Sequence, residues 1–186
     1  MTSKDYRQLA REVINKEKWW DMLSRFIDVL RINIFVIDSQ GLVILPPEGR
    51  RYGGRLLTDP AFKFDLLDDT IDIKAHFEPQ GAFLESSNRY NLSNFAIPIK
   101  LEGEQTIAYM IIGPVILNKR LSGSDYEKMA LEYGCDKSDL LNELGGIRVV
   151  SNVMINSILD VLSEIVSDNV ELSLKKKELS SIKPNV

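Results

Sequence analysis

The chain has 186 residues, of which 44% are hydrophobic and 27% are charged, a composition typical of a globular protein with one domain or two small ones. Its formal net charge is −4, which argues against a general nucleic-acid surface because such a surface needs clustered Lys and Arg. A single cysteine, Cys135, excludes an internal disulfide and a multi-cysteine zinc site.

The longest apolar run has about half of the ~20 residues that a membrane helix needs. The polar N-terminal residues do not have the pattern of a signal peptide. One cysteine fits a reducing compartment. We therefore expect a cytoplasmic protein that makes no direct contact with a membrane or with nucleic acid.

Two amphipathic helices are predicted at the N-terminus. Residues 3–14 place their apolar side chains on one side. Asn15 is a good N-cap for a second helix, whose apolar stripe runs from Trp19 to Leu30. We interpret the pair Trp19 and Trp20 as core or interface packing, with contact to a ligand as the alternative.

A short antiparallel pair of strands follows. Residues 33–38 are predicted to form the first strand, and residues 34–37 are its buried part. Residues 39–41 turn the chain, and residues 42–45 return as the partner strand. The prolines at 46–47 end the pair because proline cannot donate a hydrogen bond to the next strand.

The middle of the chain is less regular. Residues 46–58 are predicted to be a loop in which Arg50, Arg51 and Arg55 lie among glycines. This loop is either an anion-binding lid or a solvated loop without a function. Helices are predicted from Pro60 onward, and we interpret the acidic residues there as caps and solvated surface. Their spacing is not that of a calcium loop, so no metal site is expected.

The only histidine of the chain, His76, has two interpretations. It is either a polar contact to a small ligand or a hydrogen-bonded structural residue. An enzyme would use His76 with Asp72 or Glu78 as acid–base partners. No nucleophile motif or cofactor fingerprint accompanies them, so we expect neither enzymatic activity nor a cofactor.

Residues 90–117 are predicted to form the central hairpin of the fold. Two apolar, β-branched runs flank a polar turn at residues 102–104. The second run, residues 107–117, is almost free of polar side chains and therefore belongs in the middle of a sheet. Pro98 and Pro114 mark either bulges or strand ends.

Two short helices are predicted after the hairpin. Ser124 and Glu127 have the spacing of a capping box, and Gly134 is the expected C-terminal stop of that helix. Asp136 or Ser138 then begins the second helix.

The C-terminal segment, residues 149–182, is predicted to be one helix of about 50 Å at ~1.5 Å per residue. Such a helix is longer than the domain is wide, so its end is expected to project and to pair in a parallel homodimer. The alternative is a terminal helix that lies on the core. Apolar side chains spaced three and four apart predict a heptad seam that also contains two polar residues. The seam consists of Ile155, Ile158, Leu162, Ile165, Asn169, Leu172, Lys176 and Leu179.

Taken in order, these elements resemble the PocR-type sensory domain over roughly residues 8–170. The resemblance rests on order and spacing, and the long exit helix completes it. The segments that carry it are Trp19-Trp20, Phe35-Val36-Ile37-Asp38-Ser39-Gln40-Gly41, Asn94-Phe95-Ala96-Ile97-Pro98-Ile99 and Ile112-Gly113-Pro114-Val115-Ile116.

The resemblance implies an α/β (α+β) fold similar to PAS domains, with a central antiparallel sheet flanked by helices and a long C-terminal signalling helix. Residues 1–148 would be the sensory domain with its N-terminal helices, and residues 149–186 a coiled-coil-like exit helix. Members are input modules of bacterial and archaeal signalling proteins, including two-component systems. They precede histidine kinases, diguanylate cyclases or DNA-binding domains. The propanediol regulator that gives the family its name implies small organic ligands.

The chain departs from the family in one respect. Many relatives carry cysteines in the loop after the second strand and before the central hairpin. The corresponding neighbourhoods here are residues 54–57, 64–66 and 75–77, which contain no cysteine. Any metal or redox role tied to those cysteines is therefore not transferred.

We expect a small organic ligand between sheet and helices, which biases the exit helix and, through it, an effector in cis or in trans. Strand alternation places Phe95 with Ile97 on one face and Tyr109 with Ile111 on one face; which face meets the helices is left open. The alternative is a ligand-free dimerisation module whose pocket is filled by side chains. The expected ligand contacts are Phe35, His76, Phe83, Tyr90, Asn94, Phe95, Ile97, Tyr109 and Ile111. The expected dimer contacts are Ile158, Leu162, Ile165, Asn169, Leu172 and Leu179.

Overall fold

A seven-stranded sheet is the centre of the fold in the computed structural model, which describes residues 3–46, 73, 77–87, 91–101 and 105–182. The strands are β1 (Ile34–Asp38), β2 (Val43–Leu45), β3 (Glu78–Gln80), β4 (Phe83–Ser87), β5 (Leu92–Lys100), β6 (Thr106–Leu117) and β7 (Val149–Val150). They lie in the order β2-β1-β6-β5-β4-β3, and β7 pairs with β6 outside that path. Only the β6–β7 pair is parallel, so the predicted central antiparallel sheet is confirmed.

Five helices lie in the described ranges, which confirms the α+β class. They are α1 (Ser3–Val13), α2 (Lys16–Leu30), α3 (Gly123–Tyr133), α4 (Lys137–Gly146) and α5 (Asn152–Ile182). The last of them is the long C-terminal helix that the sequence predicts. None of the helices in these ranges is both long enough and apolar enough to cross a membrane.

The helix caps agree with the sequence at two positions and differ at a third. Asn15 caps α2 by accepting a hydrogen bond from the backbone N–H of Lys18 at 3.1 Å. Asp136 caps α4. The capping box of α3, however, is formed by Ser122 and Asp125, and the prediction of Ser124 with Glu127 was wrong. The same residue spacing occurs twice in succession here, and the earlier pair begins the helix.

The long helix begins at Asn152, three residues later than predicted. Val149 and Val150 form β7, which pairs with Ile116 and Leu117 at the end of β6. Free backbone groups at the edge of β6 thus find partners in a segment whose apolar residues alone are also compatible with a helix.

The prediction that the second run of the hairpin lies in the middle of the sheet is confirmed. Strand β6 pairs with β1 over residues 108–112 and with β5 along almost its whole length. Residues 110–116 are all buried. Pro98 pairs with Tyr109 and lies beyond the part of β5 that pairs with β4, where no donor is needed on that side. The hairpin tip, residues 102–104, is outside the described residues.

A β-bulge interrupts β6 at Pro114, as one of the two interpretations of this proline predicts. On β5, Ser93 faces Val115 and Phe95 faces Ile112. Between these two pairs β6 contains one residue more than β5, and one extra residue on one strand defines a β-bulge.

Helices α1, α2 and α5 cover one face of the sheet, which we call the first face. Its core contains Trp19 and Leu23 of α2, and Leu159 of α5. From the sheet it receives Val36 and Met110, among others. The interpretation of Trp19 as a packing residue is therefore confirmed.

The small lobe formed by α3 and α4 packs against one end of the sheet. Leu92 of β5 and Ile116 of β6 share a buried cluster with apolar residues of both helices. Arg120 closes this lobe by donating hydrogen bonds to the backbone carbonyls of Leu144 at 2.6 Å and Ile147 at 2.8 Å, at the C-terminal end of α4.

Helix α5 lies along the domain as far as Lys177, and projection of its end stays a prediction for the residues that follow. It has 31 residues and is about 46 Å long at ~1.5 Å per residue. Leu174 still packs against the first-face core. Lys177 forms an ion pair with Glu12 of α1. The alternative of a terminal helix on the core therefore describes α5 as far as that pair.

Gly113 is the position in β6 where a side chain is least acceptable. Its φ is +141°, and a Cβ atom there would lie 2.5 Å from Oδ1 of Asn94 and 3.0 Å from the carbonyl oxygen of Ser93. We expect Gly113→Ala to lower the free energy of unfolding by about 1–3 kcal/mol, measured by urea denaturation.

Gly145 of α4 provides the matched control for this substitution. A Cβ there meets no atom within 4 Å. Gly145→Ala should therefore leave the stability unchanged or raise it by up to about 1 kcal/mol. Equal unfolding free energies for Gly113→Ala and the wild-type chain would contradict the close contact with Asn94.

Candidate ligand-binding site

The second face of the sheet, opposite α1, α2 and α5, carries a row of side chains that crosses four strands. Phe35 of β1 faces Ile111 of β6, which in turn faces Ala96 of β5. Ala96 faces Leu84 of β4. Directly opposite residues point to the same side of a sheet, so these four form one surface. The buried or partly buried cluster of this face consists of Phe35, Ile37, Ile73, Phe77, Leu84, Ala96, Tyr109 and Ile111.

Strand β5 is asymmetric in side-chain size across the sheet. On the first face it presents Phe95 and Ile97, which are buried under the helices. On the second face, strand alternation places Asn94, Ala96 and Pro98. The residue in the middle of the row, Ala96, contributes only a methyl group between its larger neighbours. The side chain of Ala96 is therefore shorter than those of its neighbours in the row, and Ala96 itself is fully buried.

Two polar groups lie next to Ala96. Tyr109 is half-buried, and burial raises the pKa of its phenol, so the hydroxyl keeps its proton and can donate at neutral pH. Asn94 is 5% exposed, and its Oδ1 lies over Gly113. A carboxamide carries both donor and acceptor groups and can contact a bound molecule. Among the described residues, no buried side-chain nitrogen or oxygen lacks a hydrogen-bond partner, so contact of a ligand with Asn94 stays a prediction.

The row of side chains that crosses the second face, Phe35, Ile111, Ala96 and Leu84, is uncharged. Asp38, at the end of β1, accepts backbone hydrogen bonds from Gln40 at 2.9 Å and Leu42 at 3.0 Å and so stabilises the β1–β2 turn. Among the residues that the structure describes, no group of acidic, histidine or cysteine side chains has the arrangement of a metal site.

The segment between β2 and β3 contacts this face at two described positions. Ile73 and Phe77 are buried in the same cluster as Phe35 and Ile111. The backbone N–H of Phe77 donates to the carbonyl of Ile73 at 3.0 Å, which is the spacing of a helical turn. A bound molecule on this face would thus lie between the sheet and this segment.

The comparison with protein families supplies the identity of the domain. A family model described as "Sensory domain found in PocR" matches residues 12–174. The chain belongs to the PocR sensory-domain family. No curated protein matches the chain, and no solved structure matches it either. Membership gives this PocR domain a sensory role.

The predicted ligand contacts divide between the two faces of this PocR domain. Phe35, Tyr109 and Ile111 lie in the second-face cluster. Phe95 and Ile97, by contrast, are core residues of the first face. Opposite faces of a sheet do not line one pocket, so the structure does not bring all of these residues together, and the contact of each with a ligand stays a prediction.

Phe83 belongs with the first-face residues. Its ring packs edge-to-face on Phe95, with ring centroids 5.9 Å apart. Asn94 alternates with Phe95 along β5 and remains a candidate on the second face. His76 and Tyr90 are outside the described residues, so their predicted contacts remain predictions.

Sequence reasoning missed five residues of the second face. These are Ile37, Ile73, Phe77, Leu84 and Ala96. Ile37 follows from Phe35 by strand alternation alone. The position of Ala96 and Leu84 in this row depends on the register of three strand pairs, which cannot be derived from the sequence alone.

The predicted dimer seam is partly used inside the PocR domain. Leu162 is buried in the first-face core. Asn169 donates to the carbonyl of Ile165 at 2.9 Å and lies 3.5 Å from the sulfur of Met22 on α2. Leu172 is 50% exposed and Leu179 is 67% exposed. The side of α5 that contains Leu162 therefore packs against the rest of the domain, whereas Leu172 and Leu179 are exposed.

The packing of the two faces can be compared with two alanines, Ala96 on the second face and Ala108 on the first, which are both fully buried. Ala108→Val adds two methyl groups beneath the helices, where we expect a loss of about 1–3 kcal/mol in the free energy of unfolding. Ala96→Val makes the same addition beside the expected ligand contacts, and if a ligand cavity adjoins Ala96 the loss should be smaller by at least ~1 kcal/mol. Equal losses in urea denaturation would contradict such a cavity.

Proposed function

We propose that this PocR domain is a cytoplasmic sensor that binds a small organic molecule on the second face of the sheet. The observation that carries the proposal is the asymmetry of β5, with large side chains under the helices and small ones on the other side. Ligand pockets are mostly apolar with a few placed polar groups, and the second face has this composition. A sensory role is the established property of its family.

The chemistry of the face defines the class of ligand. Phe35, Ile111 and Leu84 offer apolar surface around Ala96. The Tyr109 hydroxyl and the Asn94 carboxamide offer directed hydrogen bonds. A neutral molecule with an apolar body and one or two hydroxyl, carbonyl or amide groups would satisfy both. A charged ligand would lack a counter-charge in the row of side chains that crosses the face.

Strand β6 offers a direct route from this site to the exit helix. It carries Tyr109 and Ile111 in its middle, and its far end pairs with β7, which leads into α5. The backbone N–H of Asn118 donates to the carbonyl of Val150 at 2.8 Å. The side chain of Asn118 also donates to that of Asn152, the first residue of α5, at 3.3 Å.

Arg148 links the end of α2 to the same end of β6. Its guanidinium donates to the backbone carbonyl of Leu30, at the C-terminal end of α2. Its own carbonyl accepts from the N–H of Ile116 at 2.9 Å. A shift of β6 would therefore act on the start of α5 and on the end of α2 together.

In the proposed mechanism the ligand stabilises one arrangement of β6, and α5 transmits that bias to an effector in cis or in trans. The size of the response is limited by the difference in the ligand's affinity for the two arrangements. The described residues offer binding groups without an activated nucleophile, which supports a sensor over an enzyme.

Native mass spectrometry of the purified chain tests ligand binding directly. We expect the gently ionised protein to carry the mass of a small organic molecule, which is released on denaturation. Tyr109→Phe removes one hydrogen bond worth about 0.5–1.5 kcal/mol, so the dissociation constant of the ligand should rise about two- to tenfold and the occupancy should fall. Tyr126→Phe is the matched control, because Tyr126 is buried in the α3–α4 lobe.

Two results would contradict the proposal. One is a protein without adduct that also shows no thermal shift with a panel of small diols, amides and hydroxy ketones. The other is an adduct whose occupancy falls equally in Tyr109→Phe and Tyr126→Phe, because that would separate binding from the second face.

A further inference from the structure

We propose that a second copy of this chain docks on an apolar groove between α2 and α5. The groove has a volume of about 430 Å³. It is open at the surface, and its lining is apolar except for one serine. The lining residues are Phe26, Leu30, Met154, Ser157, Ile158, Val161 and Leu162. This inference goes beyond the ligand site, which lies on the other face of the sheet.

Helix α5 has two apolar sides, which its own domain covers to different extents. Ile155, Leu159 and Val166 represent the covered side, which is part of the first-face core. On the second side, which we call the outer side, Met154 and Ile158 are half-buried and pack against that core, whereas Val161 is 48% exposed and Leu172 is 50% exposed. At ~100° per residue, the six apolar residues of the outer side fall within a sector of about 60°. They are Met154, Ile158, Val161, Ile165, Leu172 and Leu179.

The spacing of the outer side is that of paired helices. Positions 154, 158, 161 and 165 alternate four and three residues apart, and positions 172 and 179 continue at heptad intervals. The fully buried residues of α5 form a different set, and Val161, Leu172 and Leu179 of the repeat are exposed, so packing on the domain does not account for these three. The register is one residue away from the predicted seam, because Met154 and Val161 replace Ile155 and Leu162.

The charges beside this repeat favour two parallel α5 helices. Glu164, Glu171 and Glu178 all take the position that flanks one edge of the seam, and Lys176 flanks the other edge. In a parallel pair, Glu171 of one copy comes opposite Lys176 of its partner, five residues further on. An antiparallel pair would place the glutamates of the two copies against each other. Within the described ranges Lys176 forms no ion pair of its own.

The contact is expected to be strongest in the first half of α5. There three apolar positions of the repeat also line the groove. In the second half of the helix, two positions of the same repeat are occupied by the charged residues Asp168 and Lys175. A two-fold contact needs a surface that complements itself. Val161 in the lining is 48% exposed, and Val29, next in sequence to the lining residue Leu30, is 76% exposed, so each copy offers exposed apolar side chains together with a recess.

The first test compares two charged substitutions by sedimentation equilibrium. We expect a wild-type dimer in the micromolar range and a dimer dissociation constant at least about tenfold higher for Val161→Glu, because the substitution buries a carboxylate. Leu131→Glu on α3 is the matched control: Leu131 is 83% exposed and remote from the groove, so its dimer should persist. A monomeric wild-type chain, or a Val161→Glu dimer of unchanged affinity, would overturn the proposal.

A cross-linking test remains decisive if Val161→Glu fails to fold. In a Cys135→Ser background, Val161→Cys should form a disulfide-linked dimer on mild oxidation, because the two residues face each other in a parallel pair. Ser167→Cys is the control, because Ser167 is exposed on the opposite side of α5. Cross-linking through position 167 and not through position 161 would overturn the proposal.

Discussion

The pairing of β6 with three other strands is the constraint on which the rest of the structure depends. β1 and β5 flank it along the sheet, and β7 joins the edge that β1 leaves open. One register therefore determines which side chains meet the helices and which form the second face. The bulge at Pro114 lies where this register changes, beside Asn94 and Gly113. The same strand links the proposed site to the start of α5.

The sequence predicted the parts of the fold that have local signals. The β1–β2 pair, the two hairpin strands and the Asn15 cap each follow from a few neighbouring residues. It did not predict which face the helices cover, because both faces of β6 are apolar. Three of the nine expected contacts, Phe83, Phe95 and Ile97, therefore lie on the first face, whereas Tyr109 lies in the candidate site. The small side chain of Ala96 matters only once the register is known.

Helix α5 shows why a heptad pattern alone was ambiguous. Apolar residues at 154, 155, 158, 161, 162 and 165 support two seams that differ by one residue. Packing on the first face buries Ile155 and Leu162, covers Met154 in part and leaves Val161 exposed. A helix that is anchored to β6 at its start and presents a partly exposed apolar side is well placed to couple a ligand to a second copy. In the two proposals, ligand binding and the association of two copies both act on the first turns of α5.

Methyl NMR of isoleucine-labelled protein tests the central claim, ligand binding on the second face, most directly. Ile111 and Ile112 are neighbours in the chain but lie on opposite faces, so they act as paired reporters. Spectra would be compared before and after bound small molecules are removed by unfolding, dialysis and refolding. The account predicts large shifts for Ile37 and Ile111 and a smaller one for Ile155 at the start of α5. Unchanged spectra, or shifts centred on Ile97 and Ile112, would contradict it.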